Sequence, residues 1–161
     1  MAAPGAARRL VRAALAVGMA LLCLAAAGCS SYRGSTLSAQ VASWSQATGF
    51  WSQIDTVLAD AARVGVVQGR SDAAAVRTDC VVLSDDTRGA YQLLPTPDPT
   101  LTAGLDQALQ LEQTAAGDCY KGASGDAALA ASSVEERARA AVALGAARAL
   151  YDRLTSPGAG G

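Results

Sequence analysis

The apolar residues of this chain recur at helical spacing in four successive segments. In the first segment, residues 37–68, they lie three, four or seven positions apart, which places them on one face of a helix: Leu37, Val41, Trp44, Trp51, Ile54 and Leu58. Gly49 interrupts this segment. It either divides the segment into two helices or lies inside one helix at a cost of about 1 kcal/mol relative to alanine. No stretch of convincing length alternates as a β-strand would.

Two further helices are predicted on either side of a proline-rich loop, residues 94–99 with the sequence LPTPDP. The helix before the loop begins near Ser71, whose hydroxyl can cap backbone amides. The helix after the loop begins at Pro99, because Asp98 followed by proline is typical of an N-cap and a first helical residue. This helix ends before Gly122. The predicted inward-facing residues are Val76, Cys80, Leu83, Ala90 and Leu94, and then Leu101, Leu105, Ala108, Leu111, Ala115 and Cys119.

The last helix is predicted to begin at two overlapping capping boxes. Ser132 and Ser133 each precede a glutamate by three residues, so a hydroxyl and a carboxylate can satisfy reciprocal backbone amides. Short connections place consecutive helices side by side. The sequence therefore predicts an all-α fold, an antiparallel bundle of about four helices over residues 37–155, followed by a disordered tail at residues 156–161.

Residues 1–28 have the pattern of a signal peptide. Arg8, Arg9 and Arg12 precede an uncharged stretch, residues 13–28, which ends in small side chains. A transmembrane helix needs about 20 apolar residues, so this stretch is short for a permanent membrane anchor. The pair Arg8-Arg9 is also found in signals for twin-arginine export, but the residues around it fit that motif poorly. General secretion is therefore favoured.

The end of this stretch, Ala26, Ala27, Gly28 and Cys29, resembles the lipobox of bacterial lipoproteins. In that family small residues precede a cysteine whose thiol receives diacylglycerol, and a peptidase then cuts on its N-terminal side. Here alanine stands three positions before the cysteine, where leucine is usual. The resemblance implies lipid on Cys29, a flexible tether over residues 29–36, and a location on the extracytoplasmic face of the cell membrane.

The same residues allow a second interpretation. Ala25 and Ala27 form an A-x-A signal, so an ordinary signal peptidase can cut after Ala27 and release a soluble secreted protein. The seven polar or flexible residues after Cys29 favour lipid attachment, because an extended chain of that length makes a tether of roughly 24 Å.

The four cysteines support an exported protein. Cys23 lies in the leader and Cys29 is assigned to lipid, which leaves Cys80 and Cys119. Outside the cytoplasm such a pair most often forms a disulfide, which here would stabilise the fold by roughly 4 kcal/mol. A metal or redox site is the competing interpretation, but the chain has no histidine and no C-x-x-C motif.

Charge and side-chain chemistry exclude several function classes. After residue 28, ten basic and fourteen acidic side chains give a net charge of −4, which argues against a nucleic-acid surface. Without histidine the chain cannot build a Ser-His-Asp or Cys-His arrangement. The adjacent acids at 85–86 and 135–136 point about 100° apart on a helix, so neither pair converges on one substrate atom. We expect no catalysis, no cofactor and no metal.

Three aromatic residues are the candidates for a ligand site. Trp44 and Trp51 lie seven positions apart, with Phe50 between them. They can line a pocket for a small apolar or amphiphilic molecule, but large aromatic side chains at core spacing usually belong to the core.

The part after the leader resembles small helical lipoproteins of high-GC Gram-positive bacteria, through Cys80, the 94–99 loop, residues 105–111 and the sequence Asp118-Cys119-Tyr120. This resemblance implies a helical fold and no assigned activity. The sequence thus leads to two hypotheses. The first is a tethered module that interacts with an envelope protein, and the second is a ligand-binding lipoprotein that uses Trp44 and Trp51.

Overall fold

The structure, a computed structural model, describes residues 36–68 and 72–156. These residues form α-helices and no strands, so the all-α prediction is confirmed. The helices are α1 (Leu37–Thr48), α2 (Phe50–Gln68), α3 (Ala73–Tyr91), α4 (Pro99–Gly122) and α5 (Ala127–Thr155). The predicted signal peptide, all of the tether except Thr36, and all of the tail except Ser156 lie outside the described residues.

Gly49 separates the first two helices, which makes five helices in the described residues where about four were expected. Its φ of 63° lies in the left-handed region, which residues with a Cβ atom rarely adopt. The α1 helix ends at Thr48, and α2 begins directly at Phe50. The alternative that the sequence left open, one continuous helix with an internal glycine, is therefore wrong.

Aspartate side chains cap three of the helices. Asp98 accepts a hydrogen bond of 2.7 Å from the amide of Leu101, and Pro99 is the first residue of α4, as predicted. Asp72 accepts from the amides of Ala74 and Ala75 at the start of α3. Ser71, the predicted cap of this helix, lies outside the described residues.

The predicted start of the last helix is wrong by six residues. The α5 helix begins at Ala127, where Asp126 accepts hydrogen bonds of 3.1 Å from two backbone amides. Ser133, which belongs to a predicted capping box, is instead fully buried inside the helix. Four alanines and Leu129 occupy residues 127–131 and have high helix propensity, and so the earlier aspartate can start the helix.

Side chains from all five helices form one apolar core. In the described chain, α2 packs on α3, α3 on α4 and α4 on α5, while α1 lies against α5. A disulfide joins Cys80 of α3 to Cys119 of α4 across a Cα–Cα distance of 5.9 Å, which confirms the predicted pair. The fully buried large side chains of this core include Val41, Phe50, Val57, Val64, Leu83, Leu101, Leu105 and Leu109.

The helices α4 and α5 approach closely at Gly122, where no side chain is tolerated. A Cβ atom at this position would lie 2.6 Å from the backbone nitrogen of Ala130. We expect Gly122→Ala to lower the free energy of unfolding by about 2 kcal/mol, because backbone atoms must move to accept the methyl group. Urea unfolding followed by circular dichroism measures the change.

Gly117 of the same helix is the matched control, because a Cβ atom there meets no atom within 4 Å. Gly117→Ala should raise the stability of the protein by up to about 1 kcal/mol, through the higher helix propensity of alanine. Equal effects of the two substitutions would contradict the close approach at Gly122.

Candidate functional site

The structure brings the three candidate aromatic residues together. The ring centroids of Trp44 and Phe50 lie 5.0 Å apart, and those of Phe50 and Trp51 lie 5.2 Å apart. Tyr151 of α5 adds a fourth ring, 5.1 Å from Trp51 in an edge-on arrangement. Phe50 is fully buried and Trp44 is 9% exposed. These rings form an aromatic cluster that packs α1 and α2 against α5.

The polar atoms around the aromatic cluster bond mostly within the protein. The indole nitrogen of Trp44 donates to the carbonyl of Leu93 at 3.3 Å, and the Tyr151 hydroxyl lies 2.8 Å from that of Ser45. The Arg148 guanidinium lies 4.3 Å from the ring centroid of Trp51, which is a cation–π contact. Only the buried indole nitrogen of Trp51 has no partner in the cluster. These contacts favour a core role for the three residues.

A polar cluster crosses the interior between α2, α4 and α5, and it was not predicted from the sequence. Arg137 donates to the Ala61 carbonyl at 3.1 Å and to the side-chain oxygen of Gln68. The Gln68 amide in turn donates to the hydroxyl of Ser133 at 3.5 Å. Glu112 of α4 is 2% exposed and carries an oxygen without a hydrogen-bond partner. Arg137 thus ties α5 to α2 beside a buried acid.

Burial controls the protonation of this polar cluster. It raises the pKa of Glu112 to about 7, against the opposing attraction of the Arg137 charge. Burial also lowers the pKa of Arg137, and the Glu112 charge opposes that change. A buried carboxyl group without a hydrogen bond is most stable in its neutral form. Glu112 is therefore a group that changes its charge near neutral pH.

The spacing of the apolar residues contained a signal for this burial. Residue 112 lies seven positions after Leu105, four after Ala108 and seven before Cys119, so it belongs to the buried stripe of α4. The prediction placed Leu111 in that stripe, but Leu111 is only partly buried.

Asp60 is a second buried acid, located on α2. It is 3% exposed, and one of its oxygens lies 2.5 Å from the Arg63 guanidinium. Burial raises the pKa of Asp60, and the nearby carboxyl group of Asp86 acts in the same direction, while Arg63 opposes them. Within residues 36–68 and 72–156, no three potential metal-ligating side chains of histidine, cysteine, aspartate or glutamate come together.

A surface groove of about 500 Å³ lies between α3 and α4. This α3–α4 groove is distinct from the aromatic cluster, and none of its lining residues was assigned a functional role from the sequence. Most of its lining residues carry polar groups, although the surface that they expose to the groove is mostly apolar. They are Thr87, Arg88, Tyr91, Gln110, Gln113 and Thr114, and buried Leu109 also contributes to the lining.

Comparisons with known proteins add no functional assignment: no family model, curated protein or solved structure matches this chain. Across the part that the structure describes, no helix is both long and apolar enough to cross a membrane. Cys29, the predicted site of lipid attachment, lies outside that part.

Proposed function

We propose that this protein is a lipoprotein, held on the extracytoplasmic face of the cell membrane by lipid on Cys29. The observation that carries the proposal is the position of Cys29, directly after an apolar stretch that ends in Ala26, Ala27 and Gly28. Small residues before such a cysteine are what the lipoprotein pathway requires. The net charge of −4 after residue 28 offers no basic patch that would bind anionic lipid in another way.

The disulfide supports an exported location. Disulfides persist in oxidising compartments and are rare in a reducing cytosol. Cys80 and Cys119 are both about 1% exposed, so their bond is a structural link between α3 and α4.

We further infer that the helical domain is an interaction or scaffold module and not an enzyme. In the polar cluster the Arg137, Gln68 and Ser133 side chains bind one another, and in the aromatic cluster the rings pack together, so both clusters serve the fold. The ligand-binding alternative at Trp44 and Trp51 has less support, because their rings contact neighbouring side chains.

We also propose that consecutive helices of the domain run antiparallel to each other. Three links between α3 and α4 support it, since they pair residues in opposite chain order: residue 91 with 106, residue 84 with 113, and Cys80 with Cys119. A rigid bundle of this kind presents its outer faces to partners at the membrane.

Substitution of Cys29 tests the anchor. We expect Cys29→Ala to move the protein from the membrane fraction to the soluble fraction and to abolish labelling by palmitate. Two or more acyl chains, at about 0.8 kcal/mol per buried CH₂ group, hold a protein firmly on a bilayer. Fractionation and immunoblotting measure the distribution.

Cys23→Ala is the matched control, because it removes a cysteine from the leader without touching the predicted lipid site. It should leave both labelling and membrane association unchanged. An undiminished membrane fraction for Cys29→Ala would refute the lipobox interpretation. The scaffold role is tested separately by affinity capture from solubilised membranes, where recovery of no envelope protein would count against it.

A further inference from the structure

The polar side chains of the α3–α4 groove are held in place by residues outside its lining. The Tyr91 hydroxyl donates a hydrogen bond to Asp106, and the Gln110 amide nitrogen donates to the other oxygen of the same carboxyl group at 2.9 Å. Asp106 therefore orients an aromatic ring and an amide at the same time. Such preorganisation lowers the entropy that is lost when a ligand binds.

The other polar groups of the groove are oriented in the same way. The Gln113 amide nitrogen donates to the hydroxyl of Ser84 at 2.6 Å, which leaves its carbonyl oxygen available to a ligand. Arg88 donates to Asp85 at 2.9 Å through one of its two terminal nitrogens. The groove thus combines fixed amide groups with a guanidinium group whose other N–H groups can donate hydrogen bonds to a ligand oxygen.

Charge narrows the class of ligand. Asp85 pairs with Arg88, and Asp106 adds a second acid beside the groove, so the surroundings carry no excess of positive charge. Phosphate and carboxylate ligands need such an excess, and the groove is therefore suited to a neutral ligand.

The mixed lining of the groove suits a sugar ring. The Tyr91 side chain is exposed, with 42% of its surface accessible, and can offer an aromatic face to the C–H groups of a sugar ring. The surface of the groove is mostly apolar, and the fixed amides of Gln110 and Gln113 lie beside it, so C–H faces and hydroxyl groups of one ring can both be bound. The volume of about 500 Å³ lies within the ordinary range of small-molecule sites.

We propose that the α3–α4 groove binds a neutral carbohydrate, with Tyr91 as the stacking platform and the amides of Gln110 and Gln113 as hydrogen-bonding groups. This activity goes beyond the anchored scaffold role and does not depend on the lipid at Cys29. The membrane anchor and the sugar site can therefore be refuted independently, each by its own experiment.

Titration of the full chain with defined sugars tests the groove. The probes are the β-1,4-linked disaccharide of N-acetylglucosamine and maltose, added at millimolar concentration to ¹⁵N-labelled protein in detergent micelles. We expect at least one of them to shift the side-chain amide signals of Gln110 and Gln113. Tyr91→Ala should weaken that binding about tenfold or more, because it removes the aromatic face.

Tyr120→Ala is the matched control. Tyr120 is a tyrosine of similar exposure, 47%, which lines a different groove. Its loss should leave sugar binding unchanged. Gln110→Ala gives a second measurement on an exposed residue if Tyr91→Ala proves unstable, and it too should weaken binding.

Three results would overturn the proposal: no shift of these amide signals with either sugar, equal weakening by Tyr91→Ala and Tyr120→Ala, or shifts caused by a capped neutral dipeptide and not by the sugars. The last result would assign the groove to a peptide. Loss of membrane association in Cys29→Ala with sugar binding intact would support both proposals independently.

Discussion

Replacing both Cys80 and Cys119 by alanine should lower the free energy of unfolding by about 4 kcal/mol. The disulfide joins residues 39 positions apart, and closing a loop of that length restricts the unfolded chain. Small domains have only about 5–15 kcal/mol of stability, so the loss is a large share of the total. Urea unfolding of the wild type and the double variant, followed by circular dichroism, measures the difference.

Reduction provides the control for this prediction. Dithiothreitol should destabilise the wild type by a similar amount and leave the double alanine variant unaffected, because the variant has no bond to reduce. A wild-type unfolding curve that does not respond to the reductant would contradict the stabilising role of the disulfide.

Ionisation of Glu112 should lower the free energy of unfolding by about 3 kcal/mol as the pH rises from about 4.5 to about 7. In the folded protein the pKa of Glu112 is about 7, above its ordinary value of 4.5, so the folded state holds this proton more tightly than the unfolded state. The stabilisation by protonated Glu112 is fully present below pH 4.5, and it is lost as the pH rises through the folded-state pKa. Unfolding free energies measured at intervals from pH 5 to pH 8 show the effect.

Glu112→Gln should remove this part of the pH dependence, because the amide does not titrate. The matched control is Glu135→Gln on α5, whose side chain is 72% exposed and forms a weak surface pair with Arg139. That variant should retain the slope of the wild type. If Glu112→Gln kept the full slope, the buried acid would not be its source.

Features that depend on neighbouring residues were predicted well. The start of α4 follows from Asp98 and Pro99, since a carboxyl group caps the amide three residues later whatever the rest of the chain does. The disulfide followed from counting, because Cys80 and Cys119 were the only cysteines without another assignment. At the start of α5, local signals competed, and the cap at Asp126 prevailed over the two serines.

Features that depend on packing were predicted less well. Leu58 was expected in the core but is 41% exposed, while Val57 beside it is fully buried. Neighbouring positions on a helix differ by about 100°, so a small error in the orientation of a helix exchanges one residue for the next. For the same reason Leu111 was predicted to be buried in α4, and the burial of its neighbour Glu112 was not predicted.

By itself, the sequence determined the all-helical class, the cap of α4, the cysteine pair and the pattern on which the lipid anchor at Cys29 is proposed. Each of these is set by local chemistry or by the count of one residue type. Only the tertiary structure decided that Trp44, Phe50 and Trp51 pack together, that Glu112 is buried near Arg137, and that polar side chains line a groove between α3 and α4. These features need groups from different helices to meet, and that depends on how the helices pack and not on the spacing within any one of them.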